Sequence, residues 1–154
     1  MELADLTPLE AIYPSVRTTS KKALLQELSR RLSSTFGVEQ RELFNALSER
    51  ERLGTTGVGG GVAIPHCRMA SVQRMCGGFA RLEAPIDFEA VDSEPVDLVY
   101  VLIAPEHAGA DHLKALARVS RVLRDRANCA KLRGAADVEA ISAVLASQER
   151  PKAA

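Results

Sequence analysis

The sequence predicts one α/β domain, a three-layer α/β/α arrangement around a central mixed sheet of about four to five strands. Three observations lead there. Leu24, Leu25, Leu28, Leu32 and Phe36 recur at helical spacing. The run Val96-Asp97-Leu98-Val99-Tyr100-Val101-Leu102-Ile103 is nearly continuously apolar, as a strand covered on both faces would be. Helical patterns precede the strand-like segments and resume after them, which is the order of a layered α/β domain. A chain of 154 residues can bury a sizeable core without staples.

Each element follows from its residues. Up to Val16, turn formers mix with Leu6, Leu9, Ile12 and Tyr13, which reads as a loop with one short strand. Ser20 is a good N-cap, and the helix it opens ends where Gly37 supplies a C′ glycine. A second helix covers about residues 39–51, with Leu43, Ala46 and Leu47 inward. Val62-Ala63-Ile64 reads as a short buried strand, and Pro65 is expected to end its ladder by removing a donor. A second strand fits Gly77 to Leu82, and the apolar run from Val96 is the third. Asp111 is expected to cap a helix reaching about Arg124, with Leu113, Leu116, Ser120 and Leu123 as its inward stripe. Two short helices fit residues 128–133 and 137–147. Residues 1–148 form the expected domain, and 149–154 read as a disordered tail.

Composition narrows the function. Lys plus Arg and Asp plus Glu are each 20, so the formal net charge is zero, and the usual electrostatic argument for nucleic acid or an anionic membrane is absent. Tryptophan is absent and aromatic residues make up 4%, too few for base-stacking platforms. Cys67, Cys76 and Cys129 form no C-x-x-C pair and are odd in number, which points to a reducing compartment. The N-terminus lacks a basic and apolar signal pattern, and no apolar run is long enough to span a bilayer. The expectation is a soluble cytoplasmic protein.

The chemistry centres on His66, at the end of the run Gly54-Thr55-Thr56-Gly57-Val58-Gly59-Gly60-Gly61-Val62-Ala63-Ile64-Pro65. Consecutive glycines expose main-chain N–H groups to close approach, which suits an anion. The run lacks the G-K-[S/T] of a P-loop and the G-x-G-x-x-G of a dinucleotide site, so a nucleotide is disfavoured. Taken alone, the glycines could equally make a tight turn, and a lone histidine beside an apolar strand is more often structural than catalytic. A second histidine, His112, lies at the expected N-terminus of a helix, where orphan N–H groups and the macrodipole favour an anion and a neutral imidazole.

Several ordered motifs resemble one family. Arg50-Glu51-Arg52-Leu53-Gly54-Thr55-Thr56-Gly57 followed by Ile64-Pro65-His66 is similar to the active-site signature of the mannitol/fructose-type enzyme IIA domains of the phosphoenolpyruvate-dependent phosphotransferase system. Pro85-Ile86-Asp87-Phe88-Glu89-Ala90-Val91-Asp92, Glu94-Pro95-Val96-Asp97-Leu98-Val99 and the H-L-x-x-L segment from His112 to Leu116 match as well. Within the group the chain looks most like the nitrogen-regulatory enzyme IIA, over about Leu6 to Leu145. The resemblance implies His66 as the phosphorylated residue, His112 as the second active-site histidine and Arg50 as the active-site arginine. It departs at Cys67, where glycine is common, and at Gly60, where a polar residue such as asparagine is common.

The implied chemistry is a reversible phosphoryl relay. Neutral His66 takes the group in line from the phosphohistidine of an HPr-type carrier, and the phosphorylation state then changes which downstream regulatory targets bind. Thr55, Thr56, Gly57, Gly59, Gly60 and Gly61 are the expected phosphate-binding loop, with His112 and Arg50 holding oxygens. No metal or cofactor is called for. A docking carrier needs an apolar surface patch, for which Leu53, Val58 and Met69 are candidates. Three alternatives stand beside this reading: a sugar-specific enzyme IIA serving a separate IIB, an anion-sensing module that is never phosphorylated, and a zinc site of His66, Cys67 and His112. The last is disfavoured because adjacent strand residues cannot easily direct both side chains at one ion.

Overall fold

A computed structural model describes residues 2–147. The chain opens with a short helix, α1 (Leu3–Leu6), a 3₁₀ turn (Leu9–Ala11) and strand β1 (Ile12–Val16). The strand was expected; the helix was not. A reciprocal capping box between Glu2 and Asp5 supports it, and Leu3 and Leu6 bury against the core.

Helix α2 (Lys21–Phe36) starts where Ser20 accepts a bond from the Ala23 N–H at 3.1 Å and ends at Gly37 in the left-handed region, φ 74°. Helix α3 (Gln40–Arg52) follows. The glycine run then forms β2 (Gly57–Gly59) and turns into β3 (Val62–Ala63). Next come β4 (His66–Met69), β5 (Cys76–Ile86), longer than expected, and β6 (Val96–Pro105). Helices α4 (Ala110–Arg124), α5 (Arg126–Gly134) and α6 (Val138–Ser147) complete the described chain. The tail at 149–154 lies outside the described residues, and no described helix is long and apolar enough to cross a membrane.

The six strands form one mixed sheet in the order β1-β5-β6-β3-β2, with β4 also on β6. β1 runs parallel to β5, β5 antiparallel to β6, β3 and β4 parallel to β6, and β2 antiparallel to β3. β3 and β4 share one register against β6: Val62 faces Leu98 and His66 faces Leu102. They are one strand line interrupted at Ile64-Pro65, so the six strands fill five positions. Pro65 therefore does not end the ladder. It lacks only a donor, and its carbonyl still accepts from the Leu102 N–H at 3.0 Å.

The apolar run in β6 reflects burial on both faces. Val99, Val101 and Ile103 enter the core under α2 and α3, while Leu98, Tyr100 and Leu102 enter the core under α1, α4, α5 and α6. The expected inward stripe of α4 is corrected by one residue. His112, Ala115, Val119, Val122 and Leu123 are buried, whereas Leu113 is 64% exposed and Leu116 and Ser120 are half-buried. Asp111 is not the cap; Gly109 holds that place. The helix starts earlier, and the face that Ala115, Val119, Val122 and Leu123 bury in the core carries His112 inward with it.

Candidate active site

Side chains alternate without a break along the β3–β4 line. Val62 and Ile64 face the core below α4, while Ala63, Cys67 and Met69 face the core below α2 and α3. His66 and Arg68 continue the first series, and both meet His112 near the start of α4. The two imidazole rings stand edge to face with centroids 5.7 Å apart. Fold and sequence therefore converge: residues 46 positions apart form one pair.

Each ring is held by a different partner. His66 Nδ1 lies 2.8 Å from the Ile64 carbonyl oxygen, which can only accept, so Nδ1 carries the proton and Nε2 a free lone pair. His112 Nδ1 lies 3.0 Å from Arg68 Nε. Its Nε2 is buried with no hydrogen-bond partner among the described residues. Burial lowers the pKa of His66 below the ordinary value, and the Arg50 charge adds to this, against opposing contributions from the Ile64 carbonyl and Glu51. His112 is pushed down to about 4, chiefly by burial, then by its neighbours His66 and Arg68. Both rings are neutral at pH 7.

Arg50 sits in the last turn of α3 with one terminal nitrogen donating to the Gly54 carbonyl at 2.9 Å. The rest of its guanidinium makes no hydrogen bond to the described residues, and its field reaches His66.

The glycine run divides in two. Its first part lies beside the strand that leads to His66, since the Ile64 N–H donates to the Thr56 carbonyl at 2.9 Å. There the donors are already engaged. The Thr56 N–H and hydroxyl both donate to Glu51, and the Gly57 N–H donates to the Thr55 hydroxyl, which donates in turn to the Phe88 carbonyl. Gly59, Gly60 and Gly61 all take positive φ and form the turn at the other end of β3. Val62 pairs four residues before His66 along β6, roughly 13 Å at strand rise. The Gly60 N–H donates to Asp92, and a Cβ on Gly61 would meet the Arg133 guanidinium, which pairs with Asp97. The structure thus brings His66, His112 and Arg50 together and leaves the triple glycine elsewhere.

Sequence reasoning gave no role to Glu51, Lys21 or Arg68. The Glu51 carboxylate, nearly buried, is salt-bridged to Lys21 at 2.9 Å and braces Thr56. A period-two reading onward from His66 could have pointed to Arg68; nothing local pointed to Lys21, 30 residues from Glu51. Cys67 is buried in the core under α2 and α3, on the opposite side of the strand from His66, so the two cannot share an ion. Met69, expected in a surface patch, is 3% exposed and belongs to the same core. Leu53 is 85% exposed and Val58 half exposed.

The three-layer α/β/α fold is that of an enzyme IIA-type component of the phosphotransferase system. The chain belongs to that family: residues 5–148 match the family described as "Phosphoenolpyruvate-dependent sugar phosphotransferase system, EIIA 2". It is 52% identical over 146 residues to the nitrogen regulatory protein of Bradyrhizobium diazoefficiens, covering 95% of each chain. The crystal structure of nitrogen regulatory protein IIA-Ntr from Neisseria meningitidis superposes with TM-score 0.88 at 34% identity, covering 92% of this chain and 97% of that one. The fold also matches mannitol enzyme IIA of Escherichia coli, solved in complex with phosphorylated mannitol enzyme IIB. There the TM-score is 0.76 at 20% identity, over 92% of this chain and 99% of that one.

Proposed function

We propose that this chain is a phosphocarrier and regulatory protein that accepts a phosphoryl group on His66 from the phosphohistidine of an HPr-type carrier and signals through its phosphorylation state. The observation that carries the reading is the tautomer of His66: a proton held on Nδ1 by Ile64 and a free lone pair on Nε2, in a ring kept neutral by burial.

The step balances without a base. The Nε2 lone pair forms the new P–N bond while the donor's P–N bond breaks and its electron pair returns to the donor nitrogen. The His66 ring gains positive charge and keeps its Nδ1 proton, which the Ile64 carbonyl stabilises. His112 Nε2–H and the open side of Arg50 hold oxygens of the group, so the charge developing in a loose transition state meets fixed donors. In this reading Thr55, Thr56 and Gly57 shape the wall of the site rather than bind the phosphate, and Gly59, Gly60 and Gly61 set the hairpin. Leu53, three residues after Arg50, and Leu113, next to His112, give the carrier an apolar rim. The added charge then alters that rim for downstream targets.

A second reading, transfer onward to a separate enzyme IIB, is favoured by the mannitol enzyme IIA solved with phosphorylated IIB. Incubation with phosphoenolpyruvate, enzyme I and an HPr-type carrier, followed by intact-mass measurement, tests the core proposal. One acid-labile phosphoryl group is expected on the wild type and none on His66→Ala. No uptake by the wild type, or equal uptake by the variant, refutes it and leaves the anion-sensing module. Passage of the group to a IIB domain separates the sugar-transport reading from the regulatory one.

A further inference from the structure

We propose that Arg68 is a positioning residue for phosphoryl transfer, holding His112 in the tautomer that donates from Nε2 toward a phosphoryl group on His66. The inference rests on the reading of His66 as phosphoryl acceptor and adds a residue outside the histidine pair and Arg50.

A guanidinium carries five N–H donors, no acceptor and a permanent charge. With Arg68 Nε 3.0 Å away, His112 Nδ1 must hold the lone pair, and the ring proton therefore sits on Nε2. That Nε2–H is buried without a partner among the described residues, in a ring 4% exposed and packed on His66. An unmet buried donor is unfavourable in the resting protein, and a phosphoryl oxygen on His66 supplies the missing acceptor. The two rings are thus set in complementary states by partners of opposite kind. A carbonyl forces His66 to present a lone pair from Nε2, and a guanidinium forces His112 to present a proton from Nε2.

Arg68 itself is exposed and pairs with no carboxylate among the described residues, so the imidazole is the partner its side chain has. Strand alternation explains the geometry. Arg68 is two residues after His66 and so shares its face of β4, within reach of the same helix start. An arginine bonded to Nδ1 also disfavours the imidazolium, in which Nδ1 would need to donate.

The test uses Arg68→Met, which keeps an apolar stem and removes the donor at an exposed position. Long-range ¹H–¹⁵N NMR of the imidazole nitrogens in the unphosphorylated protein reads the tautomers directly. The wild type is expected to show His112 as a single Nε2–H form, and Arg68→Met a mixture. Phosphoryl transfer from the carrier is expected to slow about tenfold, the scale of losing an orienting partner. In a His112→Ala background, Arg68→Met should change the rate by less than about twofold, because the residue it acts through is gone. Unchanged tautomers and rate in Arg68→Met overturn the inference. So does equal slowing in both backgrounds, which would make Arg68 a direct phosphate ligand. Failure of the underlying reading looks different: the wild type then takes up no phosphoryl group at all.

Discussion

Replacing His112 with glutamine should flatten the loss of stability on mild acidification, and the size of the effect follows from the burial of this one ring. His112 titrates near 4 in the folded protein and near 6.5 when unfolded. Below pH 6.5 the unfolded chain binds the extra proton and the folded protein does not, so stability falls as pH drops towards 4. The full contribution is about 3 kcal/mol, and the part lost between pH 7 and pH 5 is about 2 kcal/mol. Urea unfolding followed by circular dichroism measures it. With a slope of about 2 kcal/mol per molar, the wild-type midpoint should fall by about 1 M more than that of His112→Gln over this interval. His66, whose pKa is also lowered, is present in both proteins and contributes to both slopes. Equal midpoint shifts in the two proteins would refute the claim that His112 is held neutral by its surroundings.

Three further outcomes are expected. Arg81 in β5 donates to the carbonyls of Pro14, Leu132 and Ala135, tying β1 and the end of α5 together. Arg81→Met should cost about 2–3 kcal/mol and lower Tm by roughly 5–10 °C in thermal denaturation; a change within 1 °C would contradict this role. Cys67 and Cys76, pushed up to about 12 and about 11 mainly by burial, should resist a thiol reagent at pH 8 until the protein is unfolded. Rapid labelling of both under native conditions would contradict it. A Cβ at Gly77 would collide with the hydroxyl end of Tyr100, a fully buried ring whose hydroxyl is bonded to Thr7. Gly77→Ala should therefore destabilise the fold by about 1–3 kcal/mol, read as a lower urea midpoint, and a wild-type midpoint would count against the packing described.

Much of this protein was legible in one dimension because its determinants are local. Apolar spacing, Ser20 and Gly37 fixed α2, and the uninterrupted run in β6 announced a strand covered on both faces. Short motifs around Arg50, His66 and His112 marked the family and the three residues that the fold then gathers. Tertiary contacts decided the rest. The rotation of α4 that buries His112 and exposes Leu113 goes with the packing of Ala115, Val119, Val122 and Leu123 into the core, which carries His112 against His66. Pro65 looked like a terminator, yet its carbonyl stays in the ladder because β6 presents an N–H there. The triple glycine looked like an anion seat, but it turns the chain some 13 Å from His66 by strand rise, its Gly60 N–H already given to Asp92. The tautomers of the two histidines belong to the same group: each depends on a partner that only the folded chain brings within hydrogen-bond distance. Sequence by itself determined which residue types were available for the proposed phosphoryl transfer, because type and spacing are local. Only the tertiary structure decided which nitrogen of each ring is free to act, because a proton's position is set by whatever stands 3 Å away.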